Sequence, residues 1–98
     1  MAEIRWTEEA VSWLQEINDY LSQINPPAAQ RVVDGIYDRA QILKKYTKVG
    51  YKYRDEPEGE IRILLYGHYR IAYIYKEYTI EILGIFHSAL KIENYIKP

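Results

Sequence analysis

The sequence has no cysteine and only two histidines, and these shortages limit the chemistry open to it. Without thiols there is neither a disulfide framework nor a thiolate metal site. Two histidines are too few for a multi-histidine metal centre within one chain. The five glycines are scattered, so the sequence offers no glycine-rich phosphate-binding loop. We therefore expect no metal site and no cofactor.

Long apolar runs and an excess of one charge are also missing. No apolar run approaches the roughly 20 residues that a membrane-spanning helix needs, and no basic and apolar leader opens the sequence. We therefore expect a soluble cytoplasmic protein without a membrane partner. Thirteen lysines and arginines stand against fourteen acidic residues, and the pI is near 6.1. Proteins that grip nucleic acid through its phosphates usually carry a basic excess, so general RNA or DNA binding is not favoured.

Tyrosine, by contrast, is abundant, with eleven copies in 98 residues. A chain of this length can bury the core of one domain, and we expect residues 1–98 to form a single domain. Most of the tyrosines fall at positions of strand or helix patterns, where the ring packs and the hydroxyl stays wet. The alternative is a tyrosine-rich surface that stacks on a ligand or binds a partner.

Residues 60–87 are the stretch that most strongly predicts a β-sheet. They are dense in Ile and Tyr, which favour a pleated, half-buried surface. Compact turn signals divide the stretch into three parts. We therefore predict consecutive strands at residues 60–66, 69–75 and 79–87.

The length of the first hairpin loop decides whether Arg62 and Arg70 share a face of this sheet. A two-residue loop pairs Tyr66 with Tyr69 and places the two arginines on opposite faces. A three-residue loop places them on one face, because a shift of register by one residue turns every side chain over. We favour the three-residue loop, since Gly67 can supply the left-handed residue that such loops contain.

The N-terminal half predicts a short strand at residues 3–6 and then two helices. Thr7 suits the N-cap of the first helix. Apolar residues follow at helical spacing, at Ala10, Leu14, Ile17, Leu21 and Ile24, and the stripe is widened by Trp13 and Tyr20. Asn25-Pro26-Pro27 ends this helix, and Pro27 begins the second. With a short terminal helix capped by Ser88, the prediction is an α+β fold, an N-terminal helical hairpin packed on an antiparallel β-sheet.

Three polar side chains stand out among the apolar strands. Arg70 lies in a central strand, where a guanidinium must reach an acid, a carbonyl or a concave surface that receives a phosphate or a partner. Arg62 lies nearer a sheet edge, where we expect easier solvation. His87 ends the last strand, and the leading interpretation of a lone histidine there is a structural one, satisfied by a backbone group.

Several stretches, in this order and at these spacings, resemble the RelE/ParE superfamily of toxins from bacterial type II toxin–antitoxin modules, often labelled plasmid stabilization proteins. They are the hinge Asn25-Pro26-Pro27-Ala28-Ala29 after the first helix, Leu43 followed by Val49-Gly50, the strand Glu60-Ile61-Arg62-Ile63-Leu64, the strand Tyr69-Arg70-Ile71-Ala72-Tyr73, and the last strand from Ile80 to His87. The resemblance covers nearly the whole chain, and its most specific part is the strand that contains Arg70.

The resemblance implies a small α+β fold and a cognate antitoxin, whose extended or helical segment wraps the toxin and neutralises it. A surface made for such a partner exposes apolar area, so the unpartnered chain can form homodimers. ParE-like members poison DNA gyrase through protein contact. The acidic pI, the Asn-Pro-Pro-Ala-Ala hinge and the lack of a clear catalytic acid or base before the hairpin favour this mechanism.

Two other functions remain open. RelE-like and YoeB-like members cut mRNA on the ribosome, and Arg70 and His87 fall where YoeB-like members carry an arginine and a histidine for this cleavage. Arg62 falls near a basic residue of RelE-like members. If the chain is an enzyme, the resemblance therefore implies a ribosome-dependent endoribonuclease with Arg62, Arg70 and His87 as catalytic candidates. Leu90 departs from the pattern, because many members carry an arginine there. The third function is that of a decayed toxin that only binds an antitoxin.

Overall fold

Two helices pack on a five-stranded sheet in the computed structural model, which describes residues 2–96. The elements in chain order are β1 (Glu3–Trp6), α1 (Glu8–Ile24), α2 (Pro26–Gln41), β2 (Tyr51–Glu56), β3 (Gly59–Tyr66), β4 (Tyr69–Tyr75) and β5 (Thr79–His87), with single 3-10 turns at Ile42–Lys44 and Ile92–Asn94. The sheet order is β1-β5-β4-β3-β2, and all neighbours are antiparallel except β1 and β5, which are parallel. The predicted α+β fold is confirmed.

Two side chains cap the helical hairpin: Thr7, as predicted, and Asn25, which the sequence analysis assigned only to the end of the first helix. The hydroxyl oxygen of Thr7 accepts the backbone N–H of Ala10 at 3.1 Å and so caps α1. Asn25 serves both helices: its N–H donates to the carbonyl of Leu21 at 2.7 Å, and its side-chain oxygen accepts the N–H of Ala28 at 3.2 Å. The hinge is therefore a single residue, and α2 begins at Pro26, one residue earlier than expected.

The β3–β4 hairpin has a two-residue loop, so our preference for a three-residue loop was wrong. Tyr66 lies opposite Tyr69, and Arg62 lies opposite Tyr73. Gly67, at φ 55°, is the only described residue with positive φ, which fits the first loop position of a type II′ turn. Such turns match the twist of the flanking strands. Arg62 and Arg70 consequently point to opposite faces of the sheet.

Each face of the sheet has its own apolar cluster. The helix-facing cluster is formed by Ala10, Ile36, Ala40, Leu43, Leu64, Ile71, Tyr73, Ile80, Ile82 and Ile85, all buried. The opposite, outer face carries a smaller cluster of Ile63, Ala72, Phe86 and Ile92. Residues 88–96, the C-terminal segment, cover this outer face. None of the helices within residues 2–96 has both the length and the apolar character needed to cross a membrane.

The predicted terminal helix is reduced to one 3-10 turn, and Ser88 does not cap it. The turn begins at Ile92 and follows Lys91, which makes no side-chain cap. Upstream of it, the ring of His87 accepts the N–H of Ala89, and a side chain of β4 binds the carbonyl of Leu90. Because these backbone groups have partners outside a helical ladder, a helix from Ser88 does not form.

Candidate functional site

Arg62 faces the helices and binds the loop that enters β2. Its Nε donates to the carbonyl of Gly50 at 2.8 Å, and its Nη1 donates to the carboxylate of Glu60 at 2.6 Å. Only 16% of the side chain is exposed, so the expectation of easier solvation was wrong. The ion pair and the carbonyl together satisfy the guanidinium, which costs free energy to bury unpaired.

Tyr73 anchors the same loop from the neighbouring strand. Its hydroxyl donates to the carbonyl of Thr47 at 2.9 Å and accepts the N–H of Gly50 at 3.1 Å. Burial raises the pKa of this hydroxyl, so it remains a neutral donor over the physiological range. Arg62 and Tyr73 therefore hold residues 47–50 against β3 and β4.

Arg70 lies on the outer face and holds the C-terminal segment. Its Nη2 donates to the backbone carbonyl of Leu90 and, at 3.4 Å, to that of His87. Its Nε is buried and makes no hydrogen bond within residues 2–96. Carbonyls were one of the three kinds of partner expected for this arginine, and the guanidinium uses them to bind the chain where it leaves β5.

His87 ends β5 on the helix-facing side, and its ring is exposed. Nδ1 accepts the backbone N–H of Ala89 at 3.2 Å, as expected for a structural histidine. The ring meets Tyr69 edge-on, with centroids 5.5 Å apart, and stacks on His68 at 6.1 Å. Nδ1 thus has a backbone partner, while the other ring nitrogen makes no hydrogen bond within residues 2–96.

The three catalytic candidates do not form one cluster. Arg62 and Arg70 lie on opposite faces of the sheet, so they cannot converge on one phosphate. Arg70 and His87 come from neighbouring strands, but Arg70 touches the main chain of His87 and not its ring. Within residues 2–96, no three histidine or acidic side chains are grouped as a metal site.

Sequence reasoning missed a groove between α1 and the ends of β4 and β5, which we call the α1 groove. Its volume is about 480 Å³, and it is lined by Trp13, Glu16, Ile17, Tyr20, Tyr69, Ile85, His87 and Leu90. The four residues from α1 follow at helical spacing. Tyr20 and, one turn further, Ile24 are exposed by 65% and 67%. In the sequence, the signal for this groove was the apolar stripe of α1, which is wider than the core can cover.

The floor of the α1 groove is apolar and neutral. Burial raises the pKa of the Tyr69 hydroxyl, and the neighbouring Tyr20 raises it further. Trp13 packs edge-on against Phe86, with centroids 4.9 Å apart, and against Tyr95 at 5.0 Å. These contacts tie the groove wall to the C-terminal segment. The arrangement suits contact with an apolar side chain of a partner.

Comparison with known proteins finds a matching family and a related toxin. The family described as the ParE toxin of the type II toxin–antitoxin system parDE matches residues 4–91. Toxin RelE2 of Caulobacter vibrioides is 30% identical over 89 residues, which are 91% of this chain and 98% of that protein.

Two solved structures share the fold. One is the chromosomal ParDE system from P. aeruginosa, with a TM-score of 0.72 and 23% identity over 89% of this chain and 96% of that one. The other is the RelBE2 toxin–antitoxin complex from Mycobacterium tuberculosis, with a TM-score of 0.63 and 23% identity over 88% and 96%. The family match over residues 4–91, together with the 30% identity to Toxin RelE2, shows that this protein belongs to the ParE toxin family of type II toxin–antitoxin systems, within the RelE/ParE superfamily.

Proposed function

We propose that this toxin arrests growth by inhibiting DNA gyrase through protein contact, and that a cognate antitoxin neutralises it. The match to the parDE toxin family supports the ParE-like mechanism. The two structural neighbours come from ParDE and RelBE2 toxin–antitoxin systems, which supports an antitoxin as partner. An unpartnered toxin exposes large apolar side chains such as Val49, Tyr51 and Leu65, so homodimers at high concentration belong to the same proposal.

The observation that carries the proposal is the use made of the two arginines. Cleavage of RNA needs cations free to stabilise charge on the phosphate and a proton-transfer group beside them. Arg62 is instead paired with Glu60 and Gly50, and Arg70 binds the carbonyls of the C-terminal segment from the other face. Both arginines serve the fold, which supports contact over catalysis.

Ribosome-dependent mRNA cleavage is the second candidate, and one observation favours it. His87 is exposed, and its ring packs beside those of His68 and Tyr69 at the end of the sheet. A relative is named Toxin RelE2. In this function His87 would transfer the proton, and its replacement would abolish cleavage without unfolding the chain.

Two assays on the purified toxin separate the mechanisms. In the first, gyrase supercoils relaxed plasmid with and without toxin; we expect supercoiling to stop. In the second, ribosomes programmed with mRNA are scanned for cleavage; we expect none. Cleavage by the wild type and by His68→Ala, but not by His87→Ala, would overturn the proposal in favour of a nuclease.

Induction in a bacterium with a DNA-damage reporter gives the cellular readout. Growth arrest with the reporter on is the expected result, and arrest with a silent reporter contradicts it. A folded, antitoxin-free toxin that leaves growth unchanged would indicate a decayed toxin that only binds its antitoxin.

A further inference from the structure

We propose that the α1 groove docks a basic amphipathic segment of a partner protein. The segment's apolar side chains enter the groove, and its lysines or arginines meet the acidic side of α1. The inference rests on the proposed function only in that it requires a toxin acting through protein partners.

The charges of α1 are all of one sign, and none of them is paired with a cation within residues 2–96. The helix carries Glu8, Glu9, Glu16 and Asp19, and no lysine or arginine occurs between Arg5 and Arg31. Within residues 2–96, none of the four carboxylates forms an ion pair, although acids elsewhere pair with neighbouring cations. All four are exposed. A cation brought by a partner is therefore the natural complement of this helix.

Trp13 joins the acidic and apolar surfaces. Glu9 precedes it by four residues and Glu16 follows it by three, so both carboxylates lie beside the indole on the helix surface. Trp13 and Glu16 line the α1 groove and also a shallow depression shared with Glu9 and Ser12. A guanidinium or ammonium over the indole would be attracted by the ring and by the two carboxylates.

The dimensions of the groove suit a short peptide segment. A volume of about 480 Å³ falls within the range of sites that hold large apolar groups. The part of α1 that lines the groove, residues 13–20, gives a wall about 12 Å long, the length of about three or four extended residues. Ile24, one turn beyond Tyr20, continues the apolar edge past the groove. Leu90 and His87 close the opposite side, so several anchors can be bound in series.

Two other occupants fit less well. A nucleic acid would bring phosphates to four unpaired carboxylates, which repel it. A second copy could offer the run at residues 39–54, which holds six lysines and arginines and no acid. In that run Ala40 and Leu43 are already buried in the chain's own core, so they cannot enter the groove of another copy.

Anisotropy of labelled peptides on the purified toxin tests the proposal. One peptide carries leucines at helical spacing with lysines elsewhere, and its matched partner has glutamates in place of the lysines. We expect the basic peptide to bind about tenfold tighter or better, a difference of about 1.4 kcal/mol. Added salt should weaken its binding.

Variants locate the binding. Glu16→Lys should lose about a factor of ten in affinity for the basic peptide, or about 1.4 kcal/mol, and should gain affinity for the acidic one. The control is Glu58→Lys, which makes the same charge change at an exposed acid of the β2–β3 turn and should bind as the wild type does. Tyr20→Ser should weaken binding of the basic peptide by removing an apolar edge.

Three results would overturn the proposal: equal binding of the two peptides, equal losses in Glu16→Lys and Glu58→Lys, or basic-peptide binding that disappears as toxin concentration rises. The last would mean that a second copy fills the groove. None of these measurements contains gyrase, so a toxin that leaves gyrase unaffected can still bind the peptide. A toxin that inhibits gyrase but fails to bind the peptide would overturn this inference alone.

Discussion

Arg70 and Leu90 are joined across the end of the sheet: the guanidinium binds the backbone carbonyl of Leu90, and Leu90 both lines the α1 groove and packs against the outer-face cluster. The guanidinium of Arg70, on the outer face, thus positions Leu90, which is part of the wall of the α1 groove. The residue that the family resemblance marks as a catalytic candidate acts here through the main chain of the C-terminal segment.

Arg70→Met should loosen the C-terminal segment while leaving the sheet intact. Methionine keeps an apolar stem but removes the donor, and hydrogen bonds from a charged group contribute about 1.5–3 kcal/mol. Amide hydrogen exchange at residues 88–96 should therefore accelerate about tenfold or more, with strands β3 and β4 unchanged. Arg39→Met is the control, because Arg39 also donates to a carbonyl, that of Leu65, but from an exposed position. Unchanged exchange in Arg70→Met would contradict this role.

Tyr73→Phe should destabilise the fold by about 1–3 kcal/mol, because the substitution leaves two backbone groups of the 47–50 loop without their partner. Urea unfolding followed by circular dichroism measures the change as a lower midpoint at unchanged slope. Tyr78→Phe serves as the control, since Tyr78 is 75% exposed. Equal midpoints for the two variants would show that the two hydrogen bonds of the Tyr73 hydroxyl contribute nothing to the free energy of unfolding.

Stability should fall at alkaline pH because of the same hydroxyl. Burial raises the pKa of Tyr73 above its ordinary value of about 10. The folded chain then binds this proton more tightly than the unfolded chain, so its contribution is complete below pH about 10 and is lost as pH rises through the folded-state pKa. We expect the free energy of unfolding to decline less steeply above pH about 10 in Tyr73→Phe than in the wild type. Parallel pH profiles for the two proteins would contradict the assignment.

Gly59→Ala should be far more damaging than Gly67→Ala. A Cβ at Gly59 would lie 2.1 Å from the carbonyl oxygen of Tyr75, so the β3–β4 ladder would have to shift. A Cβ at Gly67 meets nothing within 4 Å, and the cost there is the positive φ, about 1–2 kcal/mol. Thermal unfolding compares the two variants. A Gly59→Ala protein as stable as Gly67→Ala would refute the close approach.

Local features of the fold could be predicted because their causes lie within a few residues. Thr7 caps α1 through a neighbouring N–H group, and the pattern of residues 60–87 predicts strands within one residue of those observed. The loop at Gly67 was harder to predict, since glycine suits both loop lengths and only the twist of the strands selects between them.

Features that depend on distant contacts could not be predicted. The α1 groove needs α1, two strand ends and Leu90 brought together from separate parts of the chain. Arg62 lies one strand in from the edge, yet the 47–50 loop covers it, so its position in the sheet was a poor guide to its burial. The predicted terminal helix does not form because Arg70, about twenty residues upstream, binds the carbonyl of Leu90.

Because β1 pairs in parallel with β5, the sheet of this toxin cannot be completed until β5 has been synthesised. Trp6 pairs with Ile82, and Thr7 donates to the carbonyl of Ile82 across 75 residues of sequence. A nascent chain that has not passed Thr79 has no partner for its first strand, and it also lacks His87 and Leu90. Because such distant contacts form only after loop closure, an interrupted translation releases a fragment without its groove. A chain that ends before Thr79 therefore lacks both the partner strand of β1 and the residues of β5 that line the α1 groove.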